Sequence, residues 1–423
     1  MREEYLCIGV LSRTNHKSQE GMDSVMNVAE VLAAVQSVEQ DIIAWRRHIH
    51  AYPELGYEEF ATAAFVAERL RSFGLLVTEG VSGTGVVALL HGQDEGGCVA
   101  LRADMDALPV AEETLLPFTS RSPGKMHACG HDGHTAMLLG AARVLSLYRH
   151  SFSGTVKFFF QPAEECAPEG GAKGMIAAGV MDDPKVEYVF ALHLWPDLPL
   201  GKAGIKVGAL MSASDRVRIR IQGKGGHGAA PHHAIDAVVV GSHVVTALQT
   251  IVSRQVDPLE PAVLTVGSFH AGQRYNVIAP YAELDGTVRT QNEALRQSLP
   301  NRIASIAQSV AHAWGAEAEV NYEYGYPTLY NHPSGVELVS RALVEVLGEG
   351  GLVQLTRPSM GGEDFAYFLD HAVGAMFWLG CDGPASPDAP IHNGQFDFDE
   401  GALAVGTAVM VQAALNALRE RRR

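Results

Sequence analysis

The chain is poor in cysteine and in basic residues, and both shortages limit what it can be. Five cysteines stand among 423 residues, an odd number without paired spacing. This argues against a disulfide-stapled secreted fold and favours a reducing compartment. Lysine and arginine total 32 against 48 aspartate and glutamate residues, for a net charge of -16. Such an acidic balance argues against a nucleic-acid partner.

Long apolar runs are also missing from the sequence. No segment approaches the ~18 apolar residues that span a bilayer. The apolar patch near the amino end is too short and too acidic for a signal peptide. We therefore expect a cytoplasmic protein without a membrane partner. Residues 1–33 are expected to be a disordered tail or to reflect a misplaced start, with Met22 and Met26 as alternative starts.

The length and the order of predicted elements indicate two domains. Short buried-strand runs alternate with helical patterns in residues 34–211 and 325–423. This alternation predicts an α/β fold with a mostly parallel sheet. Residues 212–324 show the different order βαββαβ, which predicts an inserted ferredoxin-like domain. Ligands of parallel sheets bind beyond the carboxyl ends of the strands, where the chemically active motifs of this chain fall.

Residues 127–134, with the sequence HACGHDGH, hold the densest set of metal-binding side chains. Thiolate, imidazole and carboxylate groups are the donors of Zn²⁺ and Mn²⁺ sites. Cys129 and His131 are the candidate ligands, whereas His127 and His134 are expected to be structural. The alternative for Cys129 is a small buried apolar side chain, as most free cysteines are.

Four further positions extend this candidate site. The adjacent Glu164 and Glu165 follow a predicted strand, so that one can bind a metal while the other handles the proton of an activated water. The alternative is a solvated surface pair, which the preceding run of three phenylalanines argues against. His193 and His392 are lone histidines that would usually be core residues. Both become ligand candidates because the site is short of imidazoles.

The predicted inserted domain carries candidate substrate-binding residues. His227 lies in a glycine-rich turn, where it could donate a hydrogen bond to an oxyanion. The alternative is a simple strand-to-helix loop. Asn276 and Arg289 are candidates for holding a substrate carboxylate, which Arg binds in bidentate fashion. Ordinary exposed strand residues are an equally good interpretation of these two.

Together these motifs resemble the aminoacylase/carboxypeptidase family of metallopeptidases, in the branch of hippurate hydrolases and indoleacetyl-amino acid amidohydrolases. The resemblance runs from about residue 42 to residue 400. It rests on residues 46–54, 101–109, 127–134, 161–165, 192–196, 225–228, 361–365 and 396–400.

The resemblance implies a site for two divalent ions, Mn²⁺ or Zn²⁺ with Co²⁺ and Ni²⁺ as alternatives. It implies Glu164 as the general base and Asp106 as a carboxylate that orients the site. It also implies that residues 212–324 form a lid and dimerisation domain, from which His227 reaches a neighbouring subunit, and that Asn276 and Arg289 hold the substrate carboxylate. The implied metal ligands are Cys129, in the bridging position, His131, Glu165, His193 and His392.

The predicted function is metal-dependent hydrolysis of the amide bond of N-acyl-L-amino acids, such as hippurate-like conjugates. One alternative is a di-metal dipeptidase or aminopeptidase, and another is a non-catalytic metal-dependent binding protein. The expected partners are the small-molecule substrate and further copies of the chain, in a homodimer or homotetramer.

Overall fold

The computed structural model describes residues 26–383 and 389–420. Its helices are α1 (Val28–Ala51), α2 (Phe60–Ser72), α3 (His131–Leu147), α4 (Ala172–Ala177), α5 (Ala237–Thr250), α6 (Glu293–Ala313), α7 (Pro333–Leu347), α8 (Ala366–Leu369) and α9 (Gly401–Glu420). Its strands are β1 (Leu76–Val81), β2 (Gly85–His91), β3 (Cys98–Asp104), β4 (Thr155–Gln161), β5 (Tyr188–Pro199), β6 (Ala203–Ile205), β7 (Gly208–Met211), β8 (Ala213–Gln222), β9 (Gly226–His227), β10 (Ala262–Ala271), β11 (Val277–Ile278), β12 (Tyr281–Thr290), β13 (Glu317–Tyr326), β14 (Leu329–Asn331), β15 (Leu352–Gln354) and β16 (Val373–Asp382).

A large mixed sheet with the order β1-β2-β4-β3-β5-β16-β6-β15 forms the centre of the protein. Strands β4, β3, β5 and β16 run parallel to one another. Every residue of β3 and of β4 is buried, as expected for parallel strands that are covered on both faces. The prediction of an α/β fold with a mostly parallel sheet is therefore confirmed.

The two faces of this sheet pack into separate cores, because successive side chains of a strand point in opposite directions. In β4, Phe158 and Phe160 belong to the core that includes residues of α1, α3 and α9. Phe159 belongs to the opposite core and stacks on Phe368 of α8. The parallel strands are thus fixed in register, and the loops at their carboxyl ends are held close together.

Residues 213–326, here called the four-stranded unit, form a second sheet with the order β10-β12-β8-β13. All three pairings in this sheet are antiparallel. Helices α5 and α6 supply one side of its core, which also contains Val217, Ile219 and Ile221 of β8. The intervening arginines of β8 are half-buried or exposed, so this strand has one face in the core and one face toward solvent.

The amino-terminal prediction needs a correction. Helix α1 begins at Val28, so residues 28–33 are not part of a tail. The reason is local: Asn27 and Glu30 form a capping box, and Val31 is fully buried one turn later. Residues 1–25, which make up most of the predicted tail, lie outside the described residues.

The expectation that no segment has the length and hydropathy to cross a membrane is also wrong. Two helical segments, Ala237–Gln255 and Gly401–Glu420, are long and apolar enough to cross a membrane, judged by length and composition alone. In Gly401–Glu420, 83% of the apolar window is buried inside the protein. Burial in the core of the large sheet therefore accounts for the apolar character of α9.

Candidate metal centre

The predicted metal ligands come from separate elements that meet at the carboxyl ends of the parallel strands. Cys129 lies in the loop before α3, and His131 is the first residue of that helix. Glu165 follows β4, and His392 lies in the loop before α9. His193 lies inside β5, whose pairing with β16 continues beyond this residue.

Four of these side chains converge on the Cys129 thiol. Its Sγ lies 3.5 Å from His193 Nε2 and 3.3 Å from His392 Nε2. The same His392 nitrogen lies 3.0 Å from Glu165 Oε1. His131 joins the cluster, because its ligand atom lies within 4.8 Å of those of Cys129 and His193. Donors that are scattered along the sequence thus form one site.

The imidazoles in this cluster are oriented for metal binding. Nδ1 of His131 donates to the carbonyl oxygen of Asp106 at 2.9 Å, and its buried Nε2 has no hydrogen-bond partner among the described residues. Nδ1 of His193 donates to the carbonyl oxygen of Leu194 at 2.7 Å. In both residues the bond at Nδ1 turns Nε2 toward the site, where the neutral ring could bind a metal, as in ligating histidines generally.

The electrostatics of the site favour a cation. Burial lowers the pKa of His131, but Asp104 and Asp106 outweigh it and raise this pKa to about 10. Burial, Glu165 and Glu164 raise the pKa of the Cys129 thiol well above its ordinary value. A divalent ion held by these residues would compensate the carboxylates and favour the thiolate form of Cys129. The donor set therefore fits the implied metal ions.

Glu164 and Glu165 are adjacent but lie in different electrostatic environments. Burial, with the charges of Glu363 and Glu165, raises the pKa of Glu164 well above its ordinary value. Burial also raises the pKa of Glu165, but its contact with His392 and the charge of His131 lower it overall. Glu165 is therefore suited to binding a cation as an anion, whereas Glu164 is suited to exchanging a proton.

The loop that carries the two glutamates is held in a strained conformation. Ala163 has a φ of 56°, in the left-handed region that disfavours residues with a Cβ. Its N–H donates to Glu59 Oε1 at 2.8 Å, and the N–H of Glu165 donates to Asp106 Oδ2 at 2.9 Å. Asp106 thus contacts both His131 and the Glu165 backbone, as the orienting role implied for it requires.

The other two histidines of residues 127–134 occupy different environments. Nδ1 of His134 donates to Asp104 Oδ1 at 2.6 Å, and its Nε2 accepts from the N–H of Leu194 at 2.9 Å. With both nitrogens occupied, His134 is placed to position Asp104 rather than to bind a metal. His127 is buried, and burial lowers its pKa to about 4.

Arg102 is a central residue of the site for which the sequence analysis proposed no role. It is fully buried in β3 and donates to Asp104 Oδ2 at 2.7 Å, Glu363 Oε1 at 3.0 Å and Asp364 Oδ1 at 2.9 Å. Carboxylate oxygens of Glu363 and Asp364 lie within 4.8 Å of one of Glu164. Arg102 therefore compensates the carboxylates behind the general-base candidate. An arginine inside an otherwise apolar strand was the signal that could have identified it.

A second buried arginine, Arg46, connects two segments that carry predicted metal ligands. Arg46 of α1 donates to Asp132 Oδ2 at 2.8 Å and to Asp397 Oδ1 at 2.5 Å. Asp132 is the neighbour of His131, and Asp397 lies in the loop that carries His392. Helix α1 thereby fixes these two ligand segments relative to each other.

The three candidate substrate-binding residues do not meet in one place. His227 on β9 is exposed, and it pairs with Val277, next to Asn276. Arg289 is half-buried on β12, opposite Ser214, whereas the other end of this pairing joins Tyr281 to Gln222. Eight residues of strand correspond to roughly 27 Å. His227 and Asn276 therefore lie beyond the opposite end of the sheet from Arg289, so within one chain Asn276 and Arg289 are far apart.

Comparisons with known proteins agree with this geometry. The model of peptidase family M20/M25/M40 matches residues 100–416. The chain is 51% identical over 310 residues to an N-acyl-L-amino acid amidohydrolase of Geobacillus stearothermophilus, covering 73% of this chain and 83% of the relative. It is 40% identical over 384 residues to an N-acetyl-L-cysteine deacetylase of Bacillus subtilis, covering 90% and 89%. A crystal structure of a dinuclear metal binding peptidase from Bacillus subtilis superposes with a TM-score of 0.78 at 34% identity, covering 91% and 99%.

Proposed function

We propose an activity from the premise that the chain belongs to peptidase family M20/M25/M40, whose members similar to it include amidohydrolases and carboxypeptidases. The protein hydrolyses the amide bond of N-acyl-L-amino acids and releases the acyl group and the amino acid. The observation that carries this proposal is the buried Glu164, whose pKa is raised, beside a cluster of metal donors. A protein that only bound metal would have no use for such a carboxyl group.

Two divalent ions would be held by Cys129, His131, Glu165, His193 and His392. When bound, they supply Lewis acidity that polarises the scissile carbonyl and makes an attacking water more acidic. Glu164 accepts the proton of that water and passes it to the leaving amine nitrogen. Its raised pKa makes the group a better proton acceptor than an ordinary carboxylate, as the first half of this transfer requires. The free thiols of the described cysteines agree with the cytoplasm as the proposed compartment.

The first test is a substrate panel assayed with several metals. We expect N-acetyl, N-benzoyl or indoleacetyl amino acids to be cleaved with Mn²⁺, Zn²⁺, Co²⁺ or Ni²⁺ added. Excess chelator should lower the rate by at least about 10²-fold, since both the nucleophile and the carbonyl depend on the ions. Adding metal back should restore the rate. Full activity in a chelated protein that is free of metal would contradict the proposal.

Matched substrates separate the remaining alternatives within the family. The carboxamide of each N-acyl amino acid lacks only the free carboxylate and should be a poor substrate. The corresponding dipeptide, such as glycyl-alanine beside N-acetyl-alanine, keeps the scissile amide and the carboxylate and adds only a free amine. A dipeptidase or aminopeptidase would instead prefer the unblocked dipeptide.

We also infer that the four-stranded unit is a lid and that the active site is shared between subunits. Arg289 is half-buried and forms no ion pair with a carboxylate within the part of the chain that the structure describes. It is therefore available for the substrate carboxylate of its own subunit. His227 and Asn276 lie at the far end of the same sheet, so a neighbouring chain supplies them in a homodimer or homotetramer.

Subunit mixing tests this arrangement. Glu164→Gln and His227→Ala proteins should each be nearly inactive alone. After subunit exchange, mixed dimers contain one site with both native residues, so up to about a quarter of the wild-type activity should return. Subunit exchange is verified with differently labelled chains. If activity stays absent once exchange is established, each site is completed within one chain.

A further inference from the structure

Besides Glu59 and Asp106, a side chain of the four-stranded unit also holds the peptide segment that carries Glu164. The hydroxyl of Tyr326 donates to the carbonyl oxygen of Glu164 at 2.6 Å. Glu59 and Asp106, which lie outside the four-stranded unit, accept hydrogen bonds from the N–H groups of residues 163 and 165. A left-handed residue with a Cβ, such as Ala163, is disfavoured and persists only where its surroundings hold it. Tyr326 therefore acts on a segment whose conformation depends on its contacts.

Tyr326 is packed so that its hydroxyl has a defined position. The side chain is buried, with 2% of its surface exposed. Its ring lies against Gly170, where an added Cβ would come within 2.9 Å of the ring and of the hydroxyl oxygen. Burial and the nearby carboxylates of Asp364 and Glu164 raise the pKa of Tyr326 above its ordinary value, so the hydroxyl keeps its proton and remains a donor.

The backbone next to Tyr326 is bound to the core of the four-stranded unit. Tyr326 is the last residue of β13, where the chain returns to the large sheet. The N–H of the preceding Gly325 donates to Asp215 Oδ1 at 2.9 Å. Asp215 lies in β8 and is itself held by Arg296 of α6 through a buried ion pair of 2.6 Å. A rotation of the four-stranded unit would therefore carry Tyr326 with it.

We propose that Tyr326 is a positioning residue that fixes the direction of the Glu164 carboxyl group through its bond to the Glu164 carbonyl. This inference rests on the proposed function, because it concerns the general base of the proposed hydrolysis. Its consequence is that the four-stranded unit, when correctly docked, completes the geometry of the base. Glu165, the metal-ligand candidate that follows this peptide, is also held by the bond from its own N–H to Asp106 Oδ2, so we expect the metal donors to stay in place without the Tyr326 contact.

The test compares two tyrosines whose hydroxyl groups lie near the carboxyl end of β13. Tyr326→Phe removes the hydroxyl that reaches Glu164. The matched control is Tyr367→Phe, because the Tyr367 hydroxyl donates at 2.9 Å to the carbonyl oxygen of Gly325 and to no residue of the 163–165 segment. We expect Tyr326→Phe to lower kcat between about 10- and 100-fold, the scale of a small misplacement of a reacting group. We expect KM and metal content to stay within about twofold, and Tyr367→Phe to resemble the wild type.

A rescue experiment guards against a purely structural effect. Replacing Tyr326 with 4-aminophenylalanine restores a donor at the same ring position and should recover most of the lost kcat. It also provides an active protein if Tyr326→Phe folds poorly in a thermal unfolding assay. Equal losses of kcat in both phenylalanine variants, or a wild-type kcat in Tyr326→Phe, would overturn the role of Tyr326. A wild-type protein that is inactive on every N-acyl amino acid would instead overturn the proposed function.

Discussion

Replacing Glu164 with glutamine is expected to lower kcat by at least about 10²-fold while the protein keeps its metal ions. Glutamine has nearly the same shape but cannot accept and return a proton, so the loss has the size of a missing general base. The metal donors are unchanged, because Glu164 is not among the five predicted ligands. The measurement is steady-state kinetics on the best N-acyl amino acid, together with the metal content of the purified protein.

Glu165→Gln is the matched control for this experiment. It makes the same chemical change one residue later, at a side chain that lies 3.0 Å from His392 Nε2 in the metal-donor cluster. We expect this variant to lose metal as well as activity, since a neutral amide is a weak ligand. The assigned roles fail if Glu164→Gln turns over substrate at a near-normal rate, or if the two variants lose metal equally.

These two neighbouring residues show what the sequence could predict. The position of Glu164 and Glu165 after a run of buried strand residues placed them correctly at the carboxyl end of β4. The runs in β3 and β4 were easy to identify because parallel strands buried on both faces are almost continuously apolar. The short strands β6, β7, β14 and β15 carry no such signal, because three or four residues do not establish a period.

Contacts between residues that are far apart in the sequence could not be predicted from local sequence patterns. Arg102 and Glu363 are separated by 261 positions, and Tyr326 and Glu164 by 162 positions. The residues 361–365 contributed to the family resemblance, but nothing local indicates that Glu363 and Asp364 meet a buried arginine. The separation of Asn276 from Arg289 likewise depends on the register of β8 with β12, which the sequence does not state.

Arg102 gives the largest expected effect on stability. Replacing it with methionine keeps most of the side-chain volume but leaves Asp104, Glu363 and Asp364 buried without their cation. Removing one partner of a buried ion pair typically costs about 3–5 kcal/mol. We expect Arg102→Met to lower the free energy of unfolding by about this amount near pH 8. Urea unfolding followed by tryptophan fluorescence, with excess chelator in both samples, measures the difference.

The pH dependence of this loss follows from the carboxyl groups that Arg102 faces. Burial raises the pKa of Glu363 to about 8 and of Asp364 to about 6, although Arg102 lowers both. A carboxyl group whose pKa is higher in the folded than in the unfolded protein destabilises the fold as the pH rises through that interval. Without Arg102 both pKa values should rise further. The deficit of Arg102→Met should therefore be larger at pH 8 than at pH 6, where protonation removes part of the repulsion.

Arg216→Met is the control that separates burial from the loss of a positive charge. Arg216 pairs with Asp285 on the four-stranded unit, but 43% of its side chain and 37% of that of Asp285 are exposed. Water screens such a pair, so its removal should cost no more than about 1 kcal/mol and should change little between pH 6 and 8. Equal losses in the two variants would mean that Arg102 contributes only charge. The alternative result is a loss of unfolding free energy that is larger for Arg102→Met than for Arg216→Met and that decreases at lower pH. That result would mean that the buried carboxylates behind Glu164 depend on the charge of Arg102.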